Sequence, residues 1–178
     1  MTRIVAGVAG GRRLTVPPGR RTRPTSERAR EGLFSSLGDL SGVRFLDLFA
    51  GSGAVGLEAL SRGAATATLV ESDAGALRVL KANAAALGLP GAEVRGGTVE
   101  RFLTDAGEQP REPYDVVFLD PPYALAIDPV LERCLAVAGE VVVVERATRD
   151  GSPTWPDGLN GEKVRRYGDT ALWYGRRS

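Results

Sequence analysis

Apolar and polar positions follow two different periods along most of this chain. Short, mainly apolar runs predict buried strands, and longer segments with apolar residues at helical spacing predict helices between them. Because the two kinds of segment alternate, we expect right-handed βαβ units and a mainly parallel sheet of the α/β class. The predicted strands are residues 43–49, 67–71, 92–95, 115–119 and 140–145, and the predicted helices are about 54–62, 74–87, 98–104 and 127–138.

The N-terminal segment has a different pattern. Residues 3–8 and 12–16 alternate around a Gly-Gly pair, which predicts a β-hairpin. After an extended basic loop, Thr25 or Ser26 is suited to cap a helix that runs to about Leu37. The apolar stripe of that helix predicts that it packs on the main domain.

The C-terminal segment predicts one more sheet element. Residues 163–167 and 171–174 are expected to pair as antiparallel strands, and 149–160, rich in Gly and Pro, is expected to be a loop. A chain of 178 residues without internal repeats fits one domain. We expect residues 1–24 to form a basic extension on it and residues 25–178 to form its core.

A glycine-rich turn, Asp47-Leu-Phe-Ala-Gly-Ser-Gly-Ala-Val-Gly, joins the first predicted strand of the core to a helix. Gly51 and Gly53 allow a tight turn and the close approach of a ligand to the backbone. Asp47 ends this strand, and Glu71 ends the next one, where an acid normally binds ribose hydroxyls. The pattern predicts a nucleotide-like ligand, and the alternative is a purely structural turn.

Charge favours one ligand over another at this turn. The pyrophosphate of NAD would be repelled by Asp47, whereas S-adenosyl-L-methionine carries a sulfonium and an ammonium group that a carboxylate attracts. We therefore expect S-adenosylmethionine rather than NAD. Phe49 and Ser72, beside the two acids, are expected to contact this cofactor as well.

A second motif, Asp120-Pro121-Pro122-Tyr123, follows the strand predicted at 115–119. Each proline keeps the preceding residue extended, which fixes the Asp120 carboxylate and the Pro121 carbonyl as two acceptors. Two acceptors beside the face of Tyr123 suit the exocyclic amino group of a stacked base. We expect these four residues to be catalytic and Asp120 to face the cofactor too. The alternative is a structural turn with a core tyrosine.

The amino-acid composition excludes several kinds of catalytic group, metal site and disulfide. The chain has no histidine, so the usual general base and most zinc sites are excluded, and no metal site is expected. The one cysteine, Cys134, cannot form an internal disulfide and fits a reducing, cytoplasmic location. No apolar run approaches the length of a membrane span.

Positive charge is concentrated at the N-terminus. Residues 1–30 hold eight arginines and one acid, a net charge of +7, whereas the rest of the chain carries 15 basic and 21 acidic residues, a net charge of −6. This asymmetry favours an arm that binds nucleic acid over the alternative of a solvated basic segment. Arg28 and Arg30 fall off the apolar stripe of the first helix. The expected RNA-binding residues are Arg3, Arg12, Arg13, Arg20, Arg21, Arg23 and Arg28.

The motifs carry a family resemblance. Asp47-Leu-Phe-Ala-Gly-Ser-Gly, Glu71-Ser-Asp and Asp120-Pro-Pro-Tyr resemble the class I S-adenosylmethionine-dependent amino-methyltransferases. Arg3-Ile-Val-Ala-Gly, Gly11-Arg-Arg-Leu and Arg23-Pro-Thr-Ser-Glu-Arg-Ala-Arg-Glu-Gly-Leu-Phe are similar to the RsmD family. These bacterial enzymes methylate the N2 amino group of one guanine in small-subunit (16S) ribosomal RNA.

The resemblance implies a Rossmann-like, seven-stranded, mostly parallel sheet with an antiparallel last strand, preceded by the hairpin. It implies that Asp47, Gly51, Gly53 and Glu71 bind the cofactor and that Gly97-Thr98 flank its adenine. It also implies that residues 120–123 hold the guanine.

Two other functions stay open beside this one. A DNA adenine-N6 methyltransferase would use the same Asp-Pro-Pro-Tyr chemistry, and an RNA-binding module could retain the scaffold without activity. We expect a monomer that does not contact a membrane. The sequence leaves open whether the 16S ribosomal RNA is methylated as naked RNA or within the assembling small ribosomal subunit.

Overall fold

Two groups of strands form in the computed structural model, which describes residues 2–18, 26–109 and 111–178. The first group is a small hairpin, and the second is a seven-stranded sheet. In chain order the strands are β1 (Thr2–Arg3), β2 (Arg13–Leu14), β3 (Arg44–Asp47), β4 (Thr66–Glu71), β5 (Ala92–Gly96), β6 (Tyr114–Leu119), β7 (Ala138–Ala147), β8 (Leu159–Tyr167) and β9 (Thr170–Arg177).

The large sheet has the order β5-β4-β3-β6-β7-β9-β8. Its first five strands are parallel to one another, whereas β9 runs antiparallel to both of its neighbours, β7 and β8. The strand order reverses at β3, where one half of the sheet continues through β4 and the other through β6. This topology confirms the predicted mostly parallel sheet with an antiparallel last strand and the separate N-terminal hairpin.

Helices connect the parallel strands. They are α1 (Glu27–Leu37), α2 (Ala54–Ser61), α3 (Ala74–Leu87), α4 (Val99–Glu108) and α5 (Asp128–Cys134). The helix predicted to reach residue 138 ends at Cys134, because Ala138 already pairs with Tyr114 as part of β7. The loop predicted to reach residue 160 ends earlier, since Leu159 is buried and pairs with Arg177. None of the helices in the described ranges is long and apolar enough to span a membrane.

Each face of the sheet buries its own apolar core, because successive strand residues point to opposite faces. In β3, Phe45 packs with the hairpin and with residues of α1, α2 and α3, whereas Leu46 packs on the other face with α4 and α5. In β7, Val143 and Val142 divide between the two cores in the same way. The face that contains Phe45 and Val143 is called the hairpin face below.

The N-terminal hairpin is held on this face by a buried carboxylate. Glu58, on α2, is fully buried, and its two oxygens accept hydrogen bonds from the amides of Val5 at 2.7 Å and Ala6 at 3.0 Å. The Arg62 guanidinium completes the charge balance at 2.8 Å from Glu58. Hydrogen bonds to a charged group contribute roughly 1.5–3 kcal/mol each, so this contact anchors the segment firmly. The hairpin strands are shorter than predicted because Glu58, rather than a partner strand, receives these amides.

A second clamp ties the hairpin to the glycine turn. The Asn83 side chain, on α3, donates to the carbonyls of Thr15 at 2.9 Å and Ser52 at 2.8 Å, and accepts from the Thr15 amide at 3.0 Å. The chain that leaves the hairpin is therefore fixed against the turn between β3 and α2.

Arg30 corrects one sequence prediction. It was expected to lie off the buried face of α1, but it is fully buried and donates to the Arg3 carbonyl at 2.7 Å and to Thr2 Oγ1 at 3.3 Å. The hairpin covers this flank of the helix, which widens the buried face beyond the apolar stripe. Arg28, by contrast, is exposed as predicted.

Candidate active site

The carboxyl ends of β3, β4, β6 and β7 open on one cleft with a volume of about 910 Å³. Ligands of open α/β sheets bind in such a crevice, at the point where the strand order reverses. Most of the residues predicted to bind cofactor or substrate line it. These are Asp47, Phe49, Gly51, Glu71, Ser72, Asp120, Pro121, Pro122 and Tyr123.

Four acids reach the cleft through one rule of strand geometry. Each lies two residues after a buried residue of the hairpin face, in the pairs Phe45 and Asp47, Leu69 and Glu71, Phe118 and Asp120, and Val143 and Glu145. Side chains two residues apart in a strand share a face. The four carboxylates therefore meet on the same side of the sheet, at its carboxyl edge.

Asp47 lies deepest among these acids, because β4 and β6 continue beyond it. In the sheet register it faces Leu69 and Phe118, each two residues before the acid of its own strand. Asp47 is buried, and its Oδ2 accepts from the Gly56 amide at 3.1 Å. Within the described residues, Oδ1 receives no hydrogen bond.

Burial raises the pKa of Asp47 to about 7, although the amides of Gly56 and the nearby Phe49 act in the opposite direction. The carboxylates of Glu71 and Glu145 raise this pKa further. A cation in the cleft would favour the ionised form of Asp47 and would satisfy Oδ1. These are the properties of a site for a positively charged ligand.

Glu71 shapes the glycine turn. Its Oε1 accepts from the Gly51 amide at 2.8 Å, and its Oε2 accepts from the Asp73 amide at 2.8 Å. Gly51 has a φ of +55°, and a Cβ built there would meet no atom of the described residues within 4 Å, so the turn is open to a ligand. The Glu71 carboxylate also lines the cleft.

Asp120 and Glu145 lie side by side. β6 and β7 are parallel with Leu119 opposite Val144, so the next residue of each strand is an acid. Burial and the carboxylates of Glu145 and Asp47 raise the pKa of Asp120 well above its ordinary value.

The sequence analysis did not predict Glu145 as a site residue. The repeated ending of two apolar residues followed by an acid in β3, β4, β6 and β7 is the signal that identifies it.

Tyr123 is the most exposed aromatic group of the site. It is 77% exposed, and the Arg149 guanidinium lies 5.1 Å from the centre of its ring. Arg149 also lines the cleft and was not predicted, because the sequence placed it in a loop. The exposed ring rules out the alternative in which Tyr123 is a core residue, and it gives the cleft a flat apolar surface at its mouth.

Two of the predicted cofactor residues have other surroundings in the part of the chain that the structure describes. Gly53 is buried with a φ of +88°, and a Cβ there would lie 2.5 Å from Leu80, so close packing requires a glycine. Thr98 caps α4 by accepting from the Arg101 amide at 3.2 Å, beside a separate hollow of about 190 Å³. Their roles in cofactor binding stay predictions.

The predicted RNA-binding arginines that the structure describes, Arg3, Arg12, Arg13 and Arg28, lie at the surface. Arg3 pairs with Glu27 at 3.0 Å, and Arg12 donates to the Ala86 carbonyl at 2.8 Å. Arg13 and Arg28 are exposed. The remaining predicted RNA contacts, Arg20, Arg21 and Arg23, lie outside the described residues.

The residues of the cleft fit S-adenosylmethionine. Asp47 and its neighbouring acids favour the ammonium and sulfonium groups, the Gly51 backbone is accessible, and Glu71 presents acceptors for ribose hydroxyls. The same acids would repel the pyrophosphate of a dinucleotide. This arrangement agrees with the charge argument drawn from the sequence.

The raised pKa of Asp47 makes the stability of the ligand-free protein depend on pH. The stabilisation that protonated Asp47 gives the folded state is fully present below the ordinary pKa of 3.8. It is lost as the pH rises through the folded-state pKa of about 7. We expect Asp47→Asn to unfold at higher urea than the parent at pH 8, by up to about 4 kcal/mol in the free energy of unfolding, with little difference at pH 4. Asp105→Asn, an exposed change on α4, is the control, and parallel profiles for Asp47→Asn and the parent would contradict the prediction.

The chain is similar to known proteins over nearly its whole length. The family model described as conserved hypothetical protein 95 matches residues 2–176. The ribosomal RNA small subunit methyltransferase D of Escherichia coli K12 is 40% identical over 170 residues, which cover 91% of this chain and 84% of that protein.

Two solved structures share the fold over nearly their whole length. The Escherichia coli protein yhhF has a TM-score of 0.85 and 34% identity, with 99% of this chain and 97% of that chain covered. A hypothetical protein of Thermus thermophilus has a TM-score of 0.82 and 39% identity, with 98% of each chain covered. By its fold, its cleft and these similarities, the chain belongs to the RsmD family of S-adenosylmethionine-dependent methyltransferases.

Proposed function

We propose that the protein transfers a methyl group from S-adenosylmethionine to the N2 amino group of a guanine in small-subunit ribosomal RNA. One observation carries the proposal: the Asp120-Pro-Pro-Tyr turn opens into the same cleft as the acids Asp47 and Glu71. The name of the Escherichia coli relative, a ribosomal RNA small subunit methyltransferase, supports RNA as the acceptor.

The cofactor end of the cleft is assigned to the strands β3 and β4. Asp47 holds the positively charged end of the cofactor, Glu71 holds the ribose, and the Gly51 backbone allows close approach. Phe49 and Ser72 line the same region. The cofactor supplies a methyl group already bonded to a sulfonium, so these residues need only bind and orient it.

The acceptor end is assigned to the turn after β6. The N2 amino group is a weak nucleophile because its lone pair is delocalised into the ring. Hydrogen bonds from its two N–H groups to the Asp120 carboxylate and the Pro121 carbonyl favour the geometry that frees this lone pair. The Asp120 carboxylate is also proposed to accept the proton that N2 loses on methylation.

Tyr123 is proposed to stack on the base after it leaves the RNA helix. An exposed ring beside the catalytic turn supports this role, and the Arg149 guanidinium over the ring restrains its orientation. No histidine is required by this mechanism, in agreement with the composition.

The basic arm is proposed to bind the surrounding RNA. After the hairpin, Val16 and Pro17 line the cleft, and the sequence continues into residues 19–25, which include Arg20, Arg21 and Arg23. This continuity supports an arm that binds RNA near the proposed site of methyl transfer. We further propose that the protein acts as a monomer in the cytoplasm, on naked RNA or on the assembling small subunit.

Methyl transfer tests the proposed function. Labelled S-adenosylmethionine should modify unmodified small-subunit RNA or subunits, and digestion should identify N2-methylguanine. If most of the label appeared in DNA adenine, the DNA adenine-N6 methyltransferase would be favoured. If no methyl group were transferred, the inactive RNA-binding module would be favoured.

The same assay under single-turnover conditions separates Asp120 from Tyr123. Asp120→Ala should lower the rate by about 100-fold or more while RNA still binds, because it removes an acceptor and a base. Asp120→Asn should retain some activity, since its amide oxygen still accepts one N–H. Tyr123→Ala should lose roughly 1–3 kcal/mol of stacking, whereas Tyr123→Phe should be nearly silent. Asp105→Ala is the exposed control, and a severe Tyr123→Phe defect beside a mild Asp120→Ala defect would overturn these roles.

The RNA-binding arm is tested by the salt dependence of affinity. Arg12→Gln with Arg13→Gln should flatten the slope of log K against log salt by about 0.7–0.9 for each phosphate contact that is lost. Arg101→Gln with Arg133→Gln, on α4 and α5 at the opposite face of the sheet, is the matched control. Cofactor affinity should not change in either variant. Equal slopes in all three proteins would return the arm to the interpretation of a solvated segment.

A further inference from the structure

The position of Glu145 is defined by the sheet rather than by a loop. It belongs to β7, is only 7% exposed, and lines the same cleft as Asp120. Since Leu119 and Val144 are paired in neighbouring parallel strands, Asp120 and Glu145 follow as adjacent residues, with backbones about 5 Å apart. The influence of Glu145 on the pKa of Asp120 agrees with this proximity.

A second carboxylate beside Asp120 is unfavourable in itself. Burying two like charges side by side costs stability, and the N2 amino group needs only the acceptors already provided by Asp120 and Pro121. Glu145 adds a further acceptor at this end of the cleft. A base that offers a further hydrogen-bond donor beside its amino group would suit this acceptor.

Guanine has this property and the other nucleobases with amino groups do not. Its exocyclic N2 amino group is adjacent to a ring nitrogen that carries a hydrogen, N1–H. In adenine the N6 amino group is adjacent to N1, and in cytosine the N4 amino group is adjacent to N3, and both of these ring nitrogens are acceptors. A carboxylate next to the amino-binding acid would attract guanine N1–H and repel the lone pair of the other two bases.

We propose that Glu145 accepts the N1–H of the target guanine while Asp120 accepts an N2–H, so that Glu145 is the residue that selects guanine. This inference rests on the proposed guanine-N2 methyl transfer. It assigns the two acids different tasks: Asp120 serves the reacting nitrogen, and Glu145 reads the neighbouring ring nitrogen. It also predicts that the Asp-Pro-Pro-Tyr turn of this protein disfavours adenine, whose N1 is an acceptor.

The test compares guanine with 2-aminopurine, which keeps the N2 amino group but has an unprotonated N1. Small-subunit RNA is ligated with either base at the position that the parent methylates, and is assembled into subunits if the parent requires them. Single-turnover rates are measured at saturating S-adenosylmethionine for the parent, for Glu145→Gln and for Glu145→Ala. Glu140→Gln, an exposed acid at the other end of β7, is the matched control.

The parent and Glu140→Gln should prefer guanine over 2-aminopurine by about 10-fold or more, as expected when a hydrogen bond to a charged group is lost. Glu145→Gln should reduce this ratio by a similar factor, because its amide can donate to the bare N1 of 2-aminopurine. Glu145→Ala should also lose the preference. Affinity for S-adenosylmethionine, measured by calorimetry, should stay within a few-fold of the parent.

Other results overturn the inference in distinguishable ways. If the parent methylates guanine N2 but treats both bases equally, Glu145 does not read N1, whether or not the variants fold. If Glu145→Gln slows both substrates by the same factor, or mainly weakens cofactor binding, the acid serves the cofactor instead. If the parent does not methylate guanine N2, the proposed function fails, and the inference fails with it.

Discussion

The two-residue period of the strands determines the chemistry of this protein. In β3, β4, β6 and β7 the last apolar residue of the hairpin face is followed, two positions later, by an acid. Parallel strands end at the same edge of a sheet, so four carboxylates must meet in one cleft. Burial and mutual repulsion then raise the pKa values of Asp47 and Asp120. The cleft is thereby prepared for ligands that bring positive charge or N–H donors.

The packing around the cleft fixes its shape from outside. Glu71 Oε1 holds the glycine turn through the Gly51 amide, and its Oε2 holds the Asp73 amide before α3. Asn83 ties the glycine turn to the end of the hairpin. Glu58 in turn holds the hairpin on α2. A ligand therefore meets a turn that is already formed, and the cost of ordering it is met during folding rather than during binding.

Local patterns were sufficient to predict most of the fold and three of the four acids. Strands with apolar runs, the Asp47 turn and the Asp120 turn all carry short-range signals, and each was found where expected. Glu145 was missed because a single acid at the end of a strand acquires meaning only from the register with β6. Arg30 was misplaced for a similar reason, since only the folded hairpin covers its side of α1. The positions of Glu145 and Arg30 depend on packing between distant segments, which the pattern within one segment does not encode. The strands and turns that were predicted correctly depend on local patterns.

The central claim is that the crowded acids of the cleft, with buried Asp47 among them, select a cationic cofactor. Calorimetric titration of the cofactor at pH 7, in two buffers of different ionisation enthalpy, tests this claim directly. The difference between the two observed binding enthalpies gives the number of protons that are released or taken up on binding. S-adenosylmethionine should bind with a net release of protons, Asp47→Asn should release fewer, and NAD should bind far more weakly. Binding of S-adenosylmethionine without proton release, or comparable affinity for NAD, would contradict the account.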